Sequence, residues 1–217
     1  MAAPSPVIKT IIAGAAGGIE VAALVPDAPR AVAVIAHPHP LFGGSMDNKV
    51  TTTLARACFD AGAASYRFNF RGVGASAGTH DEGIGETADM LKVVAHAQAQ
   101  HPDLPLWLAG FSFGGAVAVA AGLQLSVAEM ILVAPSFQRL AHWPQVVPKA
   151  PSVAPVAGIL IIHGENDATV PLAESLAWAR MHDVPVMVVP DADHFFHQRL
   201  HHVKAIASRW LAIRAAL

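Results

Sequence analysis

Gly110-Phe111-Ser112-Phe113-Gly114 is the segment that most restricts how this chain folds. An apolar run, Leu104 to Ala109, precedes it, and a run of small residues, Gly115 to Gly122, follows. The first pattern predicts a buried strand and the second a helix packed close to its neighbours. The chain must then pass from strand to helix in one sharp bend. The glycines make that bend feasible, because side chains two residues either side of the apex would collide with it, and the apex residue sits in a strained backbone region. A serine at the apex of strand, turn and helix fits G-x-S-x-G, the nucleophile elbow. Short motifs recur by chance, and serine is also a common helix cap, so the reading needs partners elsewhere in the chain.

A serine hydroxyl is a poor nucleophile; it needs a base, and the base needs an orienting acid. Behind an elbow of this kind the chain order is serine, acid, histidine. Gly158 to Ile162 is an apolar run that opens into His163-Gly164-Glu165-Asn166-Asp167-Ala168-Thr169-Val170-Pro171. Val184 to Val189 is another, opening into Pro190-Asp191-Ala192-Asp193-His194-Phe195-Phe196. Both put polar residues just past the carboxyl end of a strand, where open α/β sheets carry their sites. Ser112 is therefore the candidate nucleophile, Asp167 the candidate acid with Glu165 as its rival, and His194 the candidate base. The chain has 12 histidines, so a histidine alone carries little weight. His163 ends its strand and reads as structural or as support behind a catalytic residue, whereas His197, His201 and His202 read as solvated.

Composition narrows the classes. The 217 residues are 53% hydrophobic and only 14% charged, with a net charge of −2 and no basic block. That suits one globular domain over 1–217 and gives no support to nucleic-acid binding. No uninterrupted apolar stretch reaches membrane-spanning length, so no membrane partner is expected. A single cysteine, Cys58, excludes an internal disulfide, and the first six residues lack the features of a secretory signal, so a cytoplasmic location is expected. His37 and His39 have no cysteine or carboxylate beside them at ligand spacing, which argues against zinc. Gly72-Val73-Gly74-Ala75-Ser76-Ala77-Gly78 lacks the Lys-Ser/Thr ending of a phosphate loop. Neither a cofactor nor a metal is expected.

Strands are predicted at Val7–Ala13, Ile19–Val25, Ala31–Ala36, Ala63–Phe70, Leu104–Phe111, Ala128–Val133, Gly158–His163 and Val184–Val189. Helices are predicted at Asn48–Ala61, Ile84–Ala99, Ser112–Leu125, Leu172–Met181 and Phe196–Ala215. The cluster Gly14 to Gly18 reads as a hairpin that makes the first pair antiparallel. From the third strand onward, strand and helix alternate, which predicts right-handed crossovers and a parallel sheet. Pro135 to Ala157 has little regular pattern and five prolines.

With these residues in place, the chain resembles the α/β-hydrolase superfamily over nearly its whole length. It looks most like small, lidless bacterial serine hydrolases near the dienelactone-hydrolase branch. The runs His37-Pro38-His39-Pro40-Leu41-Phe42-Gly43-Gly44-Ser45-Met46-Asp47-Asn48-Lys49 and Arg67-Phe68-Asn69-Phe70-Arg71-Gly72-Val73-Gly74-Ala75-Ser76 carry that likeness. It departs from dienelactone hydrolases proper, which have cysteine where this chain has Ser112. The resemblance implies a three-layer fold: a mostly parallel eight-stranded sheet with an antiparallel N-terminal hairpin and no lid domain. It implies a serine esterase acting on a small-molecule acyl ester. The oxyanion hole needs two backbone N–H groups. One is expected from Phe113, and the other from the loop after the third strand. Proline has no N–H, which leaves His39 and Leu41, with a slight lean to Leu41. A thioesterase, an acyltransferase or a non-catalytic binding protein would use the same fold.

Overall fold

A computed structural model describes residues 6–140, 142–143 and 158–214. The prolines of the irregular stretch from Pro144 onward, in the place a lid would occupy, lie outside the described residues, as do the first five residues. Eight strands form one sheet: β1 (Ile8–Gly14), β2 (Gly17–Leu24), β3 (Ala31–Ala36), β4 (Ala63–Phe68), β5 (Leu106–Phe111), β6 (Glu129–Val133), β7 (Gly158–Gly164) and β8 (Val186–Val189). Their spatial order is β1-β2-β4-β3-β5-β6-β7-β8. The β1–β2 pair is antiparallel with Gly14 opposite Gly17, so the expected hairpin turns on two residues, Ala15 and Ala16. β2 also runs antiparallel to β4, while β3 to β8 are mutually parallel.

The helices are α1 (Lys49–Asp60), α2 (Ile84–Gln100), α3 (Phe113–Gly122), α4 (Phe137–Leu140), α5 (Leu172–His182) and α6 (Leu200–Arg214). None of the described helices is long and apolar enough to cross a membrane. Period-two alternation divides each central strand between two cores. Val32, Val34 and Ala36 of β3 face the cluster that holds α2 and α3, and Ala31, Ala33 and Ile35 face α1 and α6. Because both faces are covered, the central strands read as unbroken apolar runs. All ten residues of α3 are buried, which explains its Ala, Gly and Val composition.

Several predicted ends shift for local reasons. The fifth strand begins at Leu106 rather than Leu104, after a proline that lacks an N–H. β4 stops at Phe68 because Asn69 and Phe70 turn their N–H groups to the Glu20 carbonyl and to His37 Nε2. The last helix starts at Leu200 rather than Phe196, since Phe196 and Gln198 both have positive φ (54° and 59°). Two short elements were not predicted: α4 and a 3₁₀ turn at Pro40–Phe42. In the turn, a proline-containing stretch is too short to show a period.

Candidate active site

Ser112 stands between β5 and α3 with φ 56° and ψ −118°, a conformation that costs a non-glycine residue about 1–3 kcal/mol. Its side chain makes no helix-capping hydrogen bond, which removes the capping reading. The bend demands its glycines. A Cβ on Gly110 would come within 2.1 Å of the Gly114 carbonyl oxygen, and one on Gly114 within 2.4 Å of the His37 carbonyl oxygen. The latter contact presses the elbow directly against the loop that follows β3. The apex is held from behind as well: the Ser112 N–H donates to the Val133 carbonyl, and its own carbonyl accepts from Ser136.

The three residues singled out from sequence converge. Ser112 Oγ lies 3.0 Å from His194 Nε2, and His194 Nδ1 lies 2.7 Å from Asp167 Oδ2. All three are buried. The His194 ring packs on Phe111, with centroids 4.9 Å apart, and meets Phe195 edge-on at 5.1 Å. Asp167 Oδ1 accepts the N–H groups of Thr169 (2.9 Å) and Val170 (2.8 Å). Burial alone would raise its carboxyl pKa. Hydrogen bonds from His163, His194 and Val170 outweigh burial and hold the group well below the usual carboxylate range. Glu165 stands apart: it is exposed and accepts the Asp191 N–H at 3.0 Å.

The His163 Nε2 sits 3.3 Å from Asp167 Oδ2 as well as 2.9 Å from the Val170 carbonyl, so it supports the candidate acid from behind. Its Nδ1 lies 2.8 Å from the Ser175 hydroxyl. It thus locks the acid loop onto β7 and α5. Of the histidines read as solvated, His197 is exposed and pairs with Asp193, while His201 and His202 are exposed on α6.

On the second oxyanion donor, hydrogen bonding goes against the lean to Leu41. The Leu41 N–H already donates to His39 Nδ1 at 3.3 Å, and the Leu41 side chain is 67% exposed. The N–H groups of Phe113 and His39 have no partner among the described residues. Of the two candidates, His39 is the one whose backbone N–H stays without a partner among the described residues. Accepting from Leu41 also fixes the His39 tautomer, leaving its Nε2 protonated.

His37 anchors this loop. Its Nδ1 donates to the Pro38 carbonyl at 2.6 Å and its Nε2 accepts the Phe70 N–H at 3.0 Å, so neither nitrogen is free for a metal. Burial pushes its pKa from 6.5 down to about 4. Between those values the unfolded chain binds the proton and the folded chain does not, so stability falls as pH falls. His37 contributes a loss on the order of 3 kcal/mol from above pH 6.5 to about pH 4. Urea midpoints measured across that window should drop steadily with acidification; a flat series would refute neutral burial of this ring.

Around the Phe113 ring stand three residues that the sequence did not single out: His80, Trp143 and Arg139. The Phe113 ring meets His39 at 4.8 Å, His80 at 5.7 Å and Trp143 at 5.8 Å. The Arg139 guanidinium lies over the same ring, 6.0 Å from its centroid. His80 comes from one segment and Arg139 and Trp143 from another, with no spacing that would have flagged them.

Known α/β serine hydrolases share this architecture. A family model described as serine aminopeptidase, S33 (Hydrolase_4) matches residues 27–158. Uncharacterized protein RP471 of Rickettsia prowazekii (strain Madrid E) is 32% identical over 183 residues, 80% of this chain and 74% of that protein. An alpha-beta serine hydrolase homologue from Coxiella burnetii superposes with a TM-score of 0.82 at 36% identity, covering 93% of this chain and 96% of that one. XC6422 from Xanthomonas campestris, described as an a/b serine hydrolase without lid, gives a TM-score of 0.81 at 35% identity, covering 95% and 94%. A dienelactone hydrolase from Anabaena variabilis shares the fold, with a TM-score of 0.69 at 19% identity over 97% and 98% of the two chains.

Proposed function

The chain belongs to the Hydrolase_4 family of α/β serine hydrolases, and from that premise we propose that it cleaves small carboxylic esters through an acyl-enzyme on Ser112. The observation that carries this reading is the relay from Ser112 Oγ to His194 Nε2 at 3.0 Å and from His194 Nδ1 to Asp167 at 2.7 Å, set on a strained elbow.

Ser112 Oγ attacks the ester carbonyl carbon as its proton passes to His194 Nε2. The carbonyl oxygen becomes an oxyanion, received by the N–H groups of Phe113 and His39. Donors placed in this way each contribute on the order of a hundredfold to a thousandfold in turnover. The intermediate collapses, and the departing alkoxide takes the proton from His194 Nε2. A water molecule then gives a proton to the same nitrogen as it attacks the acyl carbon, and the second intermediate collapses: the bond from the acyl carbon to Ser112 Oγ breaks, Oγ takes the proton back from His194 Nε2, and the acid leaves. Asp167 stays ionised throughout and stabilises the imidazolium.

An ester fits better than the substrate of an aminopeptidase. The latter needs a free ammonium beside the scissile bond, and the Arg139 guanidinium over Phe113 opposes one. A site without a lid favours short acyl chains, and one relative is described as lacking a lid. A serine-reactive phosphonate should label Ser112, and kcat/KM on p-nitrophenyl esters should decline as the acyl chain lengthens. A protein that resists labelling would be a binder rather than an enzyme, and a preference for long chains would contradict the open site.

A further inference from the structure

Arg139 is the one arginine of the site wall, and its position calls for an explanation. Among the described residues its guanidinium has no carboxylate within ion-pairing distance. The other arginines near the site are engaged: Arg71 makes a two-pronged pair with buried Asp89, and Arg67 bonds Asp47 and the Met46 carbonyl. Arg139 is half-buried and leans on the ring of Phe113, whose N–H faces the reacting carbonyl in the proposed mechanism. A partly desolvated, unpaired guanidinium is costly to keep unless something supplies the missing anion.

Its neighbours extend the donor set. With Nδ1 accepting from Leu41, His39 carries its hydrogen on Nε2, which has no partner among the described residues. Burial, followed by the nearby Arg139 charge, lowers the His39 pKa to about 4, so the ring is neutral at pH 7. His80 lies against His39 with centroids 4.8 Å apart, held by buried Glu86 through its Nδ1 at 2.8 Å. Besides Glu86, the acidic group beside this wall is Glu82, which is exposed and 3.6 Å from His80 Nε2. The wall therefore offers one fixed positive charge and a neutral N–H donor, enough for a monoanion and too little for a doubly charged phosphate.

Resting on the esterase reading above, we infer that the site selects esters bearing a carboxylate apart from the scissile carbonyl, held by the Arg139 guanidinium and the His39 Nε2–H. The guanidinium fork matches a carboxylate's two oxygens, and charged hydrogen bonds of this kind are stronger than neutral ones.

The test compares monoethyl glutarate with ethyl hexanoate, a neutral ester of similar length, in the full chain. The wild type should prefer the hemiester. Arg139→Gln should lower kcat/KM on the hemiester about 10- to 100-fold and change the neutral ester by less than about threefold. Arg139→Lys should recover part of the loss, as a point charge replaces a fork. An equal effect on both esters, or a wild type that prefers the neutral one, overturns the inference. A second arm needs no turnover: calorimetry of monoethyl glutarate on Ser112→Ala, with and without Arg139→Gln. Binding that weakens about tenfold or more with the second change supports the carboxylate site, and binding that is unaffected or absent refutes it. Failure of the wild type to turn over either ester, or of phosphonate to label Ser112, counts against the catalytic reading and leaves the binding arm to judge Arg139.

Discussion

Ser112→Ala is expected to lower kcat on small esters by about 10⁴- to 10⁶-fold, the range seen when a serine nucleophile is removed and only the oxyanion donors and binding remain. The change deletes one oxygen. Phe113 and His39 keep their N–H groups in place, and His194 keeps its bond to Asp167. Stability should hardly move. The lost hydrogen bond to His194 is worth about 0.5–1.5 kcal/mol, and alanine inherits the same strained φ of 56°. For a chain of this size the melting temperature should shift by no more than about 2–6 °C. Calorimetry and ester turnover on the same preparation separate the two effects. Turnover kept above about a hundredth of wild type, in a folded protein, would remove Ser112 from the mechanism.

Much of the fold could be read because the determining forces are local. β3 begins and ends where the apolar run Ala31–Ala36 does, since a strand covered on both faces must be apolar at every position. The residues at the ends of β5, β7 and β8 were readable for a related reason: polar residues clustered right after buried strands have few places to go except the carboxyl edge of the sheet. The shifted ends record the opposite case. Phe70 leaves the ladder because His37, 33 residues earlier, takes its N–H. A run of hydrophobic residues does not encode that bond. That the Leu41 N–H is taken up by His39 Nδ1 depends on a hydrogen bond across two residues at a 3₁₀ turn, a matter of backbone geometry that residue types leave open. Arg139 was invisible for a third reason. A lone arginine in a proline-rich stretch reads as surface until its lack of a partner and its contact with Phe113 are seen.

Asp167→Asn should cost about 10⁴-fold in kcat near neutral pH, and the reason lies in the two oxygens of the present carboxylate. Oδ1 accepts the Thr169 and Val170 N–H groups, so an amide at this position must turn its carbonyl toward them. Its NH₂ then occupies the place of Oδ2 and donates to His194 Nδ1. That flips the imidazole tautomer: Nδ1 becomes the acceptor, Nε2 carries the hydrogen, and the ring can no longer take the Ser112 proton. The same NH₂ confronts His163 Nε2, 3.3 Å away in the wild type, so His163 must release its own hydrogen bond or change tautomer. A stability loss of about 1–3 kcal/mol should therefore accompany the loss of activity. Glu165→Gln is the control. That side chain is exposed and, among the described residues, accepts only the Asp191 N–H, so activity should stay within about twofold, as for most exposed substitutions. Steady-state kinetics on both variants decides between the carboxylates: a collapse in Glu165→Gln with Asp167→Asn still active would transfer the orienting role two residues back along the loop.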